Sequence, residues 1–272
     1  MLPLSALASY RAADTSRRRW LRTGLALPAV ALSGCALLAP RDEDDAREAA
    51  PIVTEDLSGS DWARASALAG HDIRWQHLRF RGRKPTHYEP QWHAGRSALY
   101  AVSHRGSSVL RHALRRPAHL TSRLAFSWWV DELPPGLDVR ARETDDAVAR
   151  VIVTFDAERS RFTARDAMLS ELALLVTGEP LPAATIEYLW DANLPAGTVF
   201  TSSYSTRVRY IVAESGPQRL SRWVDIERDL QADFARVFNE PPATVTGVGL
   251  MTDANDTLGQ AQATLALAER VR

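Results

Sequence analysis

Leu124-Ala125-Phe126-Ser127-Trp128-Trp129-Val130 places Leu124, Phe126, Trp128 and Val130 on alternate positions. In an extended chain alternate side chains share a face, so the stretch reads as a strand with one side in a core. Trp128 and Trp129 are adjacent and therefore face opposite ways: one indole belongs to the core, and the other looks out of the sheet or into a groove. The same period governs Arg207–Val212, where Val208, Tyr210 and Val212 oppose Arg207 and Arg209.

Outward from this stretch, strand signals recur at 75–80, 86–93, 97–104, 124–131, 147–155, 185–190, 207–213, 223–228, 245–252 and 263–271. Two segments read as helices. In 163–176, Ala167, Leu169, Leu172, Leu175 and Val176 recur near 3.6 spacing, Thr163 offers an N-cap, and Gly178 and Pro180 end the run. In 229–238, Leu230, Phe234, Val237 and Phe238 share a side ahead of Pro241-Pro242. The expected fold is all-β, a jelly-roll-like β-sandwich with two short accessory helices covering an open end or edge.

The N-terminus reads differently. Ser16-Arg17-Arg18-Arg19-Trp20-Leu21-Arg22 resembles a twin-arginine export signal, and an apolar stretch follows at 23–32, too short to span a bilayer. It ends in Leu32-Ser33-Gly34-Cys35, which resembles the bacterial lipobox; Cys35 is the only cysteine of the chain. The expected division is an export signal at 1–34, a lipidated Cys35 with a tether at 35–62, and one sandwich domain at 63–272. The acidic run Asp42-Glu43-Asp44-Asp45, Pro51 and Ser58-Gly59-Ser60 mark the tether. Acyl chains on Cys35 make the membrane a partner. Ala36 in place of Asp leans the address towards a periplasm-facing outer membrane rather than the inner one.

Composition narrows the function classes. The chain has 272 residues, 45% hydrophobic and 24% charged, enough for a sizeable core. Its formal charge is zero, but residues 1–34 hold five arginines and one acid. Their removal leaves 28 basic and 32 acidic residues, which is no footprint for nucleic acid. A lone cysteine excludes an internal disulfide and disfavours structural zinc. No Walker loop, dinucleotide fingerprint, HExxH or G-x-S-x-G pattern occurs, so nucleotide-dependent chemistry is disfavoured.

The strand signals carry an ordered set of motifs. They run from Trp75 and Pro85-Thr86-His87-Tyr88 through Ala101-Val102-Ser103 and Ser107-Ser108-Val109-Leu110 to Phe126-Ser127-Trp128-Trp129-Val130. Thr144-Asp145-Asp146-Ala147-Val148-Ala149-Arg150-Val151, Ile186-Glu187-Tyr188-Leu189-Trp190, Trp223 with Ile226-Glu227-Arg228-Asp229, Asp233-Phe234, and Met251-Thr252-Asp253-Ala254-Asn255-Asp256-Thr257 follow. In order and spacing the set resembles the bacterial domain-of-unknown-function family 3047 across roughly 73–272. The Asp-Ala-Asn-Asp-Thr pattern departs slightly from that family's Asp-x-Asp-Asn-Thr form. The resemblance implies a domain and leaves its activity open.

Three groups of residues could carry chemistry. Asp145 and Asp146 with Arg150 suit a carbohydrate or cation site, or an Arg–Asp network that closes one end of the sandwich. Asp253, Asn255 and Asp256 suit a calcium-binding turn, or Asx-turns that bond their own backbone. Asp225 and Glu227 share a strand face at a separation compatible with glycoside hydrolysis, or pair with neighbouring arginines. The seven tryptophans after residue 34 serve as core or as sugar platforms, and Trp128 and Trp129 divide those roles. Asp145, Asp146 and Glu227 are thus the catalytic candidates. Trp128, Trp129, Arg150, Asp253, Asn255 and Asp256 are the ligand-binding candidates. Calcium is the one cofactor with a candidate site.

The leading expectation is an envelope-tethered module that binds a glycan or another envelope component without catalysis. A glycan-active hydrolase or lyase using paired carboxylates, and an assembly lipoprotein that binds envelope proteins, are the alternatives. An exposed Trp in a shallow groove favours binding, a deep cleft with converging carboxylates favours catalysis, and an apolar patch without a groove favours assembly.

Overall fold

Alternation becomes two layers. The computed structural model describes residues 53–55, 75–116, 123–241 and 243–267. Its strands are β1 (Val53–Glu55), β2 (Trp75–Arg79), β3 (His87–His93), β4 (Arg96–His104), β5 (Ser108–Arg116), β6 (Arg123–Trp129) and β7 (Arg150–Asp156). They continue as β8 (Ala184–Asp191), β9 (Val199–Thr201), β10 (Val208–Ser215), β11 (Val224–Asp229), β12 (Thr244–Met251) and β13 (Gln260–Leu267). One sheet has eight strands in the order β1-β2-β5-β12-β7-β8-β10-β9, and the other has five, β11-β6-β13-β4-β3. Neighbours are antiparallel except β8 and β10.

The inner faces meet in one core. Leu124, Phe126 and Trp128 of β6 are buried together with Val151, Val153 and Phe155 of β7 and Tyr188 and Trp190 of β8. Ring contacts cross the layers, Phe126 to Tyr188 at 5.9 Å and Trp128 to Trp190 at 6.0 Å between centroids. Each such side chain removes 150–250 Å² or so from water, and at about 25 cal/mol per Å² this burial holds the layers together. The jelly-roll-like sandwich expected from the alternation is the fold.

Strand β5 carries no expected strand signal, yet it lies inside the eight-stranded sheet between β2 and β12. Its sequence, SVLRHALRR, is rich in Arg and Leu and poor in β-branched and aromatic residues. Pairing on both sides overrides that weak propensity. Strands β9 and β1 are three residues long, too short to show a period. Val53–Glu55 falls in the stretch read as tether and pairs with Trp75–His77.

Helix α1 (Ala164–Thr177) begins at Thr163, whose side chain accepts from the Asp166 N–H at 3.1 Å while Asp166 accepts from the Thr163 N–H at 3.2 Å. This reciprocal capping box satisfies two donors that the first turn leaves open. Gly178 ends it at φ +78°, a conformation a Cβ would strain. Helix α2 (Leu230–Phe238) is capped by Asp229, which accepts from the N–H groups of Gln231 and Ala232, both at 3.0 Å. It buries Leu230, Phe234 and Phe238, with Phe234 4.8 Å from Phe155.

The apolar set of α1 does not reach the core. Met168, Leu172 and Leu175 are 62%, 54% and 83% exposed, whereas Asp166 and Ser170 face inward and are buried. Among the described residues no helix is long and apolar enough to cross a membrane.

Candidate functional site

Two clusters collect the polar residues, and they differ in access to solvent. The first lies at one end of the sandwich, where the segment before β7 meets the segment after β12. Arg150 is buried and uses its whole guanidinium: Nε donates to Asp253 Oδ1 at 3.0 Å, Nη1 to Glu187 Oε2 at 3.0 Å, and Nη2 to Asp145 Oδ1 at 2.9 Å. Tyr210 donates its hydroxyl to Asp145 at 2.7 Å, and the Ala147 N–H donates to Asp253 at 3.0 Å. Asp146 accepts from the backbone N–H groups of Asn255, Asp256 and Thr257, holding that turn in place.

One guanidinium among Asp145, Glu187 and Asp253 leaves surplus negative charge in a dry site. Burial pushes the Asp253 carboxyl up to about 7 despite the Arg150 charge beside it, and burial raises Glu187 as well. Burial works against the Arg150 cation, but the surrounding acids outweigh it and hold the group protonated.

The structure thus brings Asp145, Asp146, Arg150, Asp253, Asn255 and Asp256 together, and it aims their hydrogen bonds at one another. That is the geometry of a network closing an end of the sandwich. The backbone N–H groups of 255–257 bond Asp146, more than a hundred residues away, whereas the Asx-turn reading has the turn's own side chains bonding its backbone. Among the described residues no group of three or more His, Cys, Asp or Glu is set to hold a metal ion.

The second cluster is the outer face of the five-stranded sheet. Trp128 is fully buried, and Trp129 next to it points outward, half-buried. Strand register sets a row across this face: Trp129 on β6 stands opposite Thr264 on β13, Thr264 opposite Tyr100 on β4, and Tyr100 opposite Glu89 on β3. Trp223, just before β11, extends the row with its ring 5.9 Å from Trp129. Five strands about 4.8 Å apart make a platform about 19 Å wide.

Each aromatic on the row is held. Trp129 Nε1 donates to Asp131 at 2.8 Å, and the His93 ring packs edge-on at 4.7 Å. Trp223 Nε1 donates to the Ala94 carbonyl at 3.2 Å in the hairpin between β3 and β4, whose central residues Ala94 and Gly95 both have positive φ, the primed-turn conformation of tight hairpins. The Arg96 guanidinium stacks 5.0 Å from the Trp223 ring and pairs with Asp225. Tyr100 donates to Gln262 and Gln91 to Thr264, both at 3.3 Å.

The two carboxylates on this face are both paired. Glu227 bonds Arg123, and Asp225 bonds Arg96 and Ser127. The Arg96 hydrogen bond, then that of Ser127, lowers the Asp225 carboxyl below the ordinary range. A lowered carboxyl is a poor proton donor, and neither carboxylate is enclosed: their side chains are 66% and 57% exposed.

Glu227 and Trp129 are therefore the sequence candidates on this open face, while Trp128 belongs to the core and Cys35 lies outside the described residues. Tyr100, Gln91, Gln262, Thr264 and Arg96 were not singled out by the sequence. Their signal is alternation on β4, where Arg96 and Tyr100 face away from Ser97, Leu99 and Ala101, but only register reveals that they align with Trp129.

A family model described as "Protein of unknown function (DUF3047)" matches residues 73–267. No curated protein matches the chain. Among solved structures, the chain is similar to the family 11 carbohydrate-binding module of cellulase Lic26A-Cel5E of Clostridium thermocellum, at 9% identity and TM-score 0.34, covering 74% of this chain and 91% of that one. It is similar to the xyloglucanase domain of NopAA, a type three effector from Sinorhizobium fredii in complex with cellobiose, at 9% identity and TM-score 0.37, covering 71% and 91%. A wild-type ENZbleach xylanase follows at 8% identity and TM-score 0.38, covering 79% and 82%. Likenesses this distant carry no functional argument.

Proposed function

The chain belongs to the DUF3047 family, and from that premise we propose that it is an exported, lipid-anchored envelope protein that binds a glycan on the outer face of its five-stranded sheet without catalysis. The observation that carries the reading is the row Trp223, Trp129, Thr264, Tyr100 and Glu89. Aromatic faces meet sugar C–H groups, and the Gln91 and Gln262 amides and the Glu89 carboxylate meet sugar hydroxyls, while Thr264 is buried in the row and supports Gln91. The Trp and Tyr rings are held by hydrogen bonds and neighbouring rings before any ligand arrives, which lowers the ordering cost of binding.

The same face supports binding over hydrolysis. A hydrolase needs one carboxyl kept protonated near neutral pH. Asp225 is shifted the other way, and Glu227 is engaged by Arg123. The lipobox at Leu32-Ser33-Gly34-Cys35 and the twin-arginine-like segment before it support the address.

The test is an array of bacterial envelope glycans probed with the full chain carrying Cys35→Ala. Trp129→Ala or Tyr100→Ala should weaken binding by about tenfold or more, the scale of an aromatic anchor. Asp146→Ala, on the buried clasp, should leave affinity in place. Silence across the array, or turnover of any glycan, sinks the reading.

A further inference from the structure

A helix on a sandwich normally hides its apolar side. Helix α1 does the reverse. Met168, Leu172 and Leu175 lie at i, i+4 and i+7, one stripe on the outward side, and Leu174 beside them is 41% exposed. The inward side is tied down by polar groups. Asp166 accepts from Ser205 Oγ at 2.7 Å and from the Thr206 N–H at 3.0 Å, and Arg159 Nη1 donates to Ser170 Oγ at 3.1 Å. The sandwich thus fixes the orientation of the stripe without covering it.

We propose that this stripe docks on a phospholipid bilayer, the apolar side chains entering the boundary between headgroups and acyl chains. Three observations select a bilayer. Exposed Arg159, Arg161 and Arg165 gather at the N-terminal end of α1. Arg159 bonds Ser170 and the Leu181 carbonyl and Arg161 pairs with Glu158, so Arg165 is the cation best placed to meet a phosphate, and Glu171 is the acid on the helix's outward side. The chain enters the sandwich on the same side. β1 pairs with β2, Gln76 of β2 bonds Arg111 of β5 at 3.2 Å, and Arg111 bonds Glu179, two residues past α1, at 2.8 Å. Cys35 lies 18 residues before Val53, within a reach of about 60 Å even when extended. Docking through α1, on the eight-stranded side, leaves the aromatic row of the opposite sheet facing solvent. The apolar face of such a helix sinks about 5–10 Å into the interface.

The inference leans on the lipid-anchor reading for proximity only, and its test removes the anchor. With the sole cysteine changed (Cys35→Ala), Leu175→Cys and, separately, Glu89→Cys on the five-stranded sheet are labelled with a polarity-sensitive fluorophore in the full chain. Vesicles of equimolar phosphatidylglycerol and phosphatidylethanolamine are then added. The label at 175 should shift to the blue and the label at 89 should not. Adding Met168→Ser and Leu172→Ser, both exposed and so tolerable to the fold, should weaken the response by about tenfold or more. No shift at 175 overturns the proposal, and so does an equal shift at both positions. A shift at 175 that grows with protein concentration in the absence of vesicles also overturns it, in favour of a second copy of the chain. None of these outcomes bears on acylation, which fails separately if the native product carries a bare Cys35 thiol and retains residues 1–34.

Discussion

Helices α1 and α2 sit on one sandwich, each opened by a side-chain cap and closed by a left-handed residue, Gly178 in one and Asn239 in the other. Their faces are used in opposite ways. In α2, Phe234 lies between Phe155 and Phe238, with both centroid distances 4.8 Å, so apolar burial joins it to the core. Its Asp233 adds a buried anchor, accepting from Arg228 at 2.6 Å and from Tyr188 at 2.8 Å. In α1 the buried side chains, Asp166 and Ser170, are held by hydrogen bonds, Leu169 is half-buried, and Leu172, Leu174 and Leu175 face out. Helical sequence alone therefore does not say which face a protein hides. Hydrogen bonds can seat a helix where no Phe cluster does, and they leave its apolar stripe for another surface.

The contrast predicts unequal costs. Phe234→Ala should destabilise the fold by about 3–5 kcal/mol in denaturant melts, because it opens a cavity that its neighbours fill only partly. A loss below about 1 kcal/mol would break the claim that α2 is core.

Asp166→Asn should cost about 2 kcal/mol at neutral pH, since it weakens both the capping box and the link to Ser205 and Thr206. Burial disfavours the Asp166 anion, but the hydrogen bonds of Thr163, Thr206 and Ser205 outweigh it and hold the folded carboxyl below its ordinary value. The unfolded carboxyl titrates near pH 3.9 or so. The stability it lends is therefore present above about pH 4 and is lost as pH falls through the lowered folded value. The gap between wild type and variant should shrink as acid is added; a gap unchanged at about pH 2 would show that ionisation is not what seats α1.

The smallest effect is the sharpest test. Leu175→Ser should change stability by no more than about 0.5 kcal/mol, as at an ordinary surface position. A cost of about 2 kcal/mol or more would mean that the stripe is covered within the chain.

Much of this arrangement is written locally. Leu124 to Val130 shows its own period, Thr163 and Gly178 mark both ends of α1, and Asp229 opens α2. Strand β5 escapes notice because its residues favour no sheet, and only its place between β2 and β12 makes it a strand. The Arg150 network was visible as paired acids near an arginine, but its burial was not, since burial depends on what the chain brings over it from residues 253–257.

By itself the sequence determined the all-β class, the Thr163 cap and Gly178 stop of α1, and the opposite fates of Trp128 and Trp129, because each rests on spacings of a few residues. Tertiary structure alone decided the rest. It set the row from Trp129 to Glu89, the clasp of Asp146 on a turn more than a hundred residues away, and the outward face of α1. Those depend on strand register and on which surface covers which, and neither is encoded in any one segment, because contacts between distant residues exist only once the sheets have paired.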